Sequence, residues 1–574
     1  TERITAQMRK LYYLPDYGIY ADSGEDCAEK LQAFFELVEN GAAVQFQKGD
    51  YYVLGEVKIS GKDDIKIFGS NSRIIANFNP CGAKAENNDV FKFYDCSNLE
   101  IAGFTFDTNN PIGAAGEVIA LDFEAKSVDV KIYDEFPVTG FEHFAATNSF
   151  DDKGAPDYAL ATYNNIFTEC KTEMPDGSKG IRHIGLDYEV IGKNTVRLRL
   201  GRSLADKERC RLKIGHKINI RYEIYGNSVF SFAFCRRVLL KDILINSAAS
   251  FGVTIEPRSS DFTFDNFSIR VSEGSRRLKA INADGIHILG LYGSLVMKNC
   301  DIEGLGDDAL NIHGLATVVT ELSGGELKMT GREYKLYNSI KNRTWADCGD
   351  IVDIYDRNTF LKTGSLTVKE QKNDGTLIFE GLKGKLNEGS VLANSTFYAS
   401  VHIDGCTFKH TRARGVLIQT QNVLIENCSF YGLSYAAMLF SPDIRTWWEV
   451  GPAKNVEIRN NVIEYCAVIE NSNNEGALVF KSSHEGDNTA YPAGVHEKIY
   501  IHRNIFRDIP NNAIFVSAAN DVRIEENEFY DCCKNVRRPD CEYADYDIVA
   551  LNCRNIRLDG NSTNRGEEKL FFEN

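Results

Sequence analysis

Long hydrophobic runs are missing from this chain. No stretch of about 18 apolar residues occurs, which excludes a membrane-spanning helix. Blocks of positive charge are also missing: the formal net charge is −16, with acids and bases interspersed. Nucleic acid and anionic membrane surfaces are therefore poor partners, whereas a neutral sugar is unaffected. The cysteines are an odd 15 without paired Cys-x-x-Cys spacing, and Cys532 and Cys533 are adjacent. That pattern argues against a zinc ribbon and against a disulfide framework, leaving room for one or two bridges. No Asp-x-Asp-x-Asp-Gly loop and no His-x-x-x-His pair is present, so no metal or cofactor is expected. Proline (12) and methionine (5) are few. The chain opens on Thr1 without an initiator methionine or an apolar leader core, from which removal of a leader and export to a bacterial periplasm or cell surface are expected.

What is abundant is glycine (46), phenylalanine (34) and tyrosine (26), in many short alternating runs that suit an all-β chain. One pattern recurs: apolar, x, apolar, x, Asn/Gly, Cys/Asn, x, apolar. Its copies begin at Leu295, Val401, Val423, Val456, Ile499 and Val522, with a partial copy at Ile556. Starts at 401 and 423, and at 499 and 522, lie 22 and 23 residues apart. That period with internal alternation is the mark of a β-solenoid. The sixth column reads Cys300, Cys406, Cys428, Asn461, Asn504, Asn527, Asn561. Equivalent positions of successive coils sit about 4.8 Å apart, so these residues should form a buried ladder at a turn.

At the start, Ser23 to Asn40 reads as an amphipathic helix capping the open end of the solenoid, similar to the entry into pectate-lyase-like β-helices. Two stretches with longer alternating strands interrupt the repeat and are expected to be small antiparallel β-barrels. The expected layout is cap and first coils over 1–116, barrel over 117–225, coils over 226–316, barrel over 317–392 and coils over 393–574. The second barrel begins just after an acidic motif and should wall a cleft.

That motif is Gly306-Asp307-Asp308-Ala309-Leu310-Asn311-Ile312-His313-Gly314, with Asp284-Gly285-Ile286-His287 ahead of it. Asp284 lies 23 residues before Asp307, about one coil. Counting from the ladder column, Asp307 and Asp308 align with Ala413 and Arg414, so the expected stack is Asp284, Asp307/Asp308, Arg414, with Arg412 nearby. Three converging carboxylates cannot all ionise freely, and their repulsion separates a protonated acid from ionised bases. That division of labour is what glycoside hydrolysis requires. A plain turn, or a site for Ca²⁺ or Zn²⁺, is the competing reading of the same residues. Further candidates for contact with a substrate are His287, His313, Glu256, Arg258, and the loop residues Trp447, Trp448 and Glu449, whose indoles could stack on a sugar face.

Asp284-Gly285-Ile286-His287 and Gly306 to Gly314, on a capped β-helix with two inserts, resemble family 110 of the glycoside hydrolases. The resemblance spans most of the chain. It implies a right-handed parallel β-helix and an inverting exo-α-galactosidase removing terminal α-1,3-linked galactose, including the blood-group B determinant, without cofactor. It implies Asp307 as general acid, with Asp284 and Asp308 activating water. Polygalacturonases share the single-plus-double Asp arrangement, but their downstream Gly-His-Gly and Arg-x-Lys motifs are missing here. A polysaccharide lyase and a non-catalytic glycan-binding solenoid remain as alternatives, and a homodimer stays open.

Overall fold

The computed structural model describes residues 9–77, 89–125, 127–138, 146–150, 169–173, 179–183, 188–199, 214–221, 228–323, 326–329, 346–371, 377–381, 386–387, 389–444, 448–468, 475–482, 491–533 and 541–574. Each regular coil of the solenoid contributes three short strands, and each strand pairs in parallel with its equivalent one coil on. On the first face run Tyr398–Asp404, Gln421–Glu426, Lys454–Arg459, His496–His502, Ala519–Glu525 and Arg554–Asp559. On the second run Thr407–Lys409, Ser429–Tyr431, Val462–Glu464, Ile505–Arg507, Glu528–Tyr530 and Ser562–Thr563. The chain is thus a right-handed parallel β-helix built largely of β-strands.

The third face carries the site. Its strands include β1 (Val253–Ile255), β2 (Ile286–Leu289), β3 (Leu310–Ser323), β4 (Val416–Gln419) and β5 (Met438–Phe440), stacked in that order. Alternation decides what goes where. Ile286 and Ile288, Leu310 and Ile312, and Val416 and Ile418 enter the core, while His287, Asn311 and His313 take the outward positions.

The ladder column forms as expected at the turn between the first two faces. The backbone N–H of Cys300 donates to Cys406 Sγ and that of Cys406 to Cys428 Sγ, both at 3.4 Å. The N–H of Cys428 donates to Asn461 Oδ1 at 2.9 Å, and the chain continues through Asn504, Asn527 and Asn561 at 3.0 Å each. The residue just before each rung is left-handed, with φ between 52 and 63° at Asn299, Gly405, Asn427, Asn460, Arg503, Glu526 and Gly560. This conformation suits Asn and Gly and explains the Asn/Gly preference in the fifth column.

The cap is the helix α1, Ala28–Leu37, shorter than the expected Ser23 to Asn40. Asp26 Oδ1 accepts the Ala28 N–H at 3.0 Å, and the helix buries Leu31, Phe34 and Phe35. The first interruption is a six-stranded antiparallel sheet built on Gly113–Asp122, Ser127–Ile132 and Thr195–Arg199 among others, around Val118, Val130, Val196 and Ile218. No pairing joins its two edges among the described residues, so closure into a barrel is not seen there. In the second interruption the pairings return on themselves. They run from β3 through Glu326–Met329, Leu377–Phe379, Lys362–Gln371, Ile351–Tyr355 and Val391–Asn394 back to β3. A two-residue strand, β6 (Glu449–Val450), then pairs antiparallel with Gly314 and Leu315 of β3.

Candidate active site

Parallel register brings the acids together. Because Ile286 pairs with Leu310 and Leu310 with Val416, Asp284, Asp308 and Arg414 occupy one column just ahead of β2, β3 and β4. The sequence count set Asp284 against Asp307/Asp308; the register selects Asp308, and Asp307 falls beside the column. The Gly285 N–H donates to Asp308 O at 2.9 Å and the Ala309 N–H to Arg414 O at 3.1 Å, which locks the three levels. Gly285 is required by closeness: a Cβ there would stand 2.6 Å from Ala309 O.

One oxygen from each of Asp284, Asp307 and Asp308 lies within 4.8 Å of the others. Each carboxylate has its own cation. Arg414 Nη1 donates to Asp308 Oδ2 at 2.6 Å while the Arg414 N–H donates to Asp308 Oδ1 at 2.9 Å. Arg412 Nη2 lies 3.0 Å from Asp307 Oδ1, and its Nε donates to Gly306 O. Asp284 Oδ2 pairs with His287 Nδ1 at 2.7 Å, and Asp284 Oδ1 accepts the Asp308 N–H at 3.0 Å. Side-chain exposure is 9% for Asp284, 3% for Asp308 and 24% for Asp307. The third acid is therefore the one that faces out.

Burial pushes the Asp308 carboxyl up to about 7, with Arg414 opposing and the Asp307 and Asp284 charges adding. Burial also raises Asp284, against the hydrogen bond from His287. For His287, burial disfavours the imidazolium, but Asp284, Glu449 and Glu256 carry it up to about 9. Burial lowers His313. The hydrogen bonds fix where the protons sit. Gly314 O can only accept, so His313 Nδ1 donates to it at 2.9 Å and leaves Nε2 as an acceptor. His287 Nε2, 3.4 Å away, then donates, and His287 Nδ1 shares a proton with Asp284 Oδ2 across 2.7 Å.

Comparison with known proteins bears on the fold and on ancestry. The right-handed β-helix region family matches residues 389–562. The α-1,3-galactosidase A of Shewanella woodyi is 23% identical over 498 residues, 83% of this chain and 76% of that one. The α-1,3-galactosidase B of Bacteroides thetaiotaomicron is 23% identical over 486 residues, 79% of this chain and 76% of that one. The chain is a homologue of the family 110 α-1,3-galactosidases. The α-1,3-galactosidase A of Peterkaempfera griseoplana, 26% identical over 444 residues, shares 70% of this chain but only 57% of its own length. Among solved structures, the family 28 exopolygalacturonase of Yersinia enterocolitica aligns over 96% of this chain and 79% of that one, at 10% identity and a TM-score of 0.43. By distant homology, then, the chain is an α-1,3-galactosidase-like glycoside hydrolase.

Not every expected residue reaches the acids of this galactosidase homologue. Arg258 turns to the second interruption, where its Nη2 donates to the buried Asp350 at 2.7 Å. Glu256 contributes charge to His287. Glu449 does arrive, with Oε1 3.6 Å from His313 Nε2. Trp448 packs part-buried in the cluster of Ala316, Tyr355, Phe360 and Val450. Trp447 lies outside the described residues. Three residues escaped the sequence reading. The Phe251 ring sits 5.3 Å from that of His287. Asn311 shares a rung with His287, and Gln419 shares one with His313. Asn311 Oδ1 and Gln419 Oε1 are buried and accept no hydrogen bond among the described residues. Asn311 and Gln419 were legible in principle as outward positions flanking the motif one coil at a time. The acid trio is poorly suited to a metal, because Arg412, Arg414 and His287 already supply the positive charge a cation would bring.

Proposed function

We propose that this chain is an exo-acting glycosidase that removes terminal α-1,3-linked galactose, from blood-group B and/or linear Galα1-3Gal glycans, with inversion. Asp307 protonates the glycosidic oxygen. Asp284 and Asp308 hold and deprotonate the water that attacks the anomeric carbon, and Asp307 leaves the step ionised. The observation that carries this division is the asymmetry of the trio. Asp284 and Asp308 are buried with both oxygens engaged by donors, while Asp307 is the exposed member and meets Arg412 through Oδ1. In the same reading, Arg412 steadies the acid, the two interruptions over 117–225 and 317–392 are small barrels of which the second walls the cleft, and the enzyme is exported.

The experiment is proton NMR of wild type and Asp307→Asn on Galα1-3Gal and on the branched B trisaccharide. β-Galactose should appear first with the wild type. The variant should lose on the order of 10²–10⁴-fold in rate, the usual contribution of a general acid. One observation favours a retaining outcome instead. Carboxylate oxygens within 4.8 Å are closer than the about 6.5–9.5 Å of most inverting pairs. α-Galactose appearing first would establish retention, and an unsaturated product absorbing in the ultraviolet would establish a lyase. Binding without release would indicate a glycan-binding solenoid.

A further inference from the structure

We infer that Glu449, His313 and His287 form a proton-ordered chain that keeps Asp284 ionised and aimed, which makes all three positioning residues for the water-activating step. The inference rests on the reading of Asp284 as one of the water-activating carboxylates. It starts from the buried carboxylate of the trio that has no arginine or lysine partner among the described residues: Asp308 has Arg414 and Asp307 has Arg412, but the cation beside Asp284 is an imidazole 2.7 Å away. An imidazole serves as a cation only while something holds its second proton. Here the donor order does so from one side, because His313 commits its own N–H to Gly314 O and offers Nε2 to His287 at 3.4 Å. Glu449 adds a negative charge beside the same Nε2 contact.

Glu449 reaches this place through backbone pairing. Strand β6 pairs Val450 with Gly314 and Glu449 with Leu315, directly beyond His313. That short ladder fixes the carboxylate 3.6 Å from His313 Nε2, with the Glu449 side chain only 14% exposed. Other groups facing His287 are Asp284 ahead of its own strand, Glu256 beyond the end of β1, and the Phe251 ring. Behind Asp284 stand Asp307 with Arg412 and Asp308 with Arg414. Glu449 and Glu256 both add negative charge at His287 from outside the catalytic trio, and Glu449 Oε1 stands 3.6 Å from His313 Nε2.

The sign of each effect follows. Asp284 must be ionised, so activity falls as pH drops through its titration, and taking away the imidazolium moves that acid limb to higher pH. The imidazolium itself is lost as pH rises through about 9, which sets a basic limb. Removing the Glu449 charge lets His287 lose its proton earlier, so the basic limb moves to lower pH.

Two measurements on the full chain test this. First, ring-¹⁵N histidine NMR of the wild type, with His287 assigned by its loss in His287→Gln or, should that variant not fold, in His287→Asn. His287 should show both protons at about pH 7 and His313 should be neutral with its proton on Nδ1. A neutral His287 at that pH overturns the proposal. Second, the pH profile of kcat/KM for wild type and Glu449→Gln, which keeps the strand and the side-chain volume. The basic limb should move down by on the order of one pH unit, the scale of a partly buried charge at this range. His287→Gln should lose on the order of 10²-fold in kcat with little change in KM, as expected for a misaimed reacting group. Rate losses without movement of either limb would mean a merely structural role and would also overturn it. A wild type that releases no galactose defeats the assigned reaction, while the NMR result still decides the protonation order.

Discussion

Arg414→Met is the substitution whose consequences can be worked through most fully from the distances. Arg414 gives Asp308 two bonds, one from the guanidinium at 2.6 Å and one from its backbone at 2.9 Å, and only the first is lost. The methionine stem keeps the packing that the arginine makes over Tyr435, whose ring centre is 5.8 Å from the guanidinium carbon. What changes is charge. Asp308 takes up its proton at about 7 instead of 3.8 even with Arg414 present. Holding it ionised therefore already costs on the order of 4 kcal/mol. A unit charge at about 4 Å is worth roughly 4 kcal/mol at an effective dielectric of about 20. Allowing for relaxation, its removal should push Asp308 up by a further one to three pH units, roughly. The acid limb of kcat/KM on Galα1-3Gal should follow it upward. The loss should reach about 10- to 1,000-fold near neutrality, and activity should partly recover toward pH 9. Stability obeys a different sign. A carboxyl that binds its proton more tightly when folded destabilises the fold as pH rises past its unfolded value, so the variant should be near wild type in acid and weaker in base. A loss of activity equal at every pH, or an acid limb that stays put, would refute this account of Asp308.

Other substitutions test the frame around the site. Asn504→Ala removes an amide that accepts from the Asn461 N–H at 3.0 Å and donates to Ile458 O, His502 O and Asn527 Oδ1 at 2.9 to 3.0 Å. A cost of about 3–5 kcal/mol is expected. Faster amide exchange should be confined to neighbouring coils, and Asn504→Cys should be milder because the same column already holds cysteine. Equal effects of Ala and Cys would reduce the ladder to packing. Asp350→Asn leaves Arg258 buried without its anion and turns an amide against Asn394 Nδ2, now 2.8 Å from Asp350. It should loosen the second interruption by about 3–5 kcal/mol, read as proteolysis within it, and replacing both partners by apolar residues should restore much of the loss. Gly285→Ala forces a backbone shift at Ala309 O, with about 1–3 kcal/mol lost in unfolding and at least tenfold in kcat, because Asp284 is the preceding residue. Unchanged kcat would mean that the close approach does not position the acid.

The parts of this molecule that repeat were legible, and the parts that meet across long sequence distances were not. The Cys/Asn column could be read because its spacing, residue type and left-handed predecessor recur in every coil. The alignment of Asp308 with Arg414 followed from the same count. The count left open which of Asp307 and Asp308 stands over Asp284, because strand register decides it, and one residue of register changes which side chains face each other. Arg258 stood one coil from the acids in sequence, yet its anion Asp350 lies 92 residues on, in a segment outside the repeat. Glu449 was visible as a charge beside two tryptophans. Its pairing with Leu315 involves a strand of two residues and has no sequence periodicity to announce it.

Charge accounting across the site shows why Glu449 belongs in the argument. Asp284, Asp307 and Asp308 face three cations, His287, Arg412 and Arg414. With all six groups charged the cluster is neutral, and a general acid would then have to gain its proton against no excess of negative charge. Adding Glu449 behind the histidine pair changes this: the cluster carries one surplus negative charge, and one proton bound to the trio restores neutrality. In the proposed reaction that proton is delivered to the glycosidic oxygen from the outermost member. Asp284 and Asp308 each accept two hydrogen bonds, whereas Asp307, the outermost, meets only Arg412 among the described residues. Glu449→Gln should therefore lower the pH at which His287 gives up its proton. That narrows the active range from the basic side, whereas Arg414→Met narrows it from the acidic side. Combining the two should leave a profile narrowed at both ends, with the limb shifts adding. Shifts that do not add would mean that the two carboxylates and the imidazole titrate as one coupled unit.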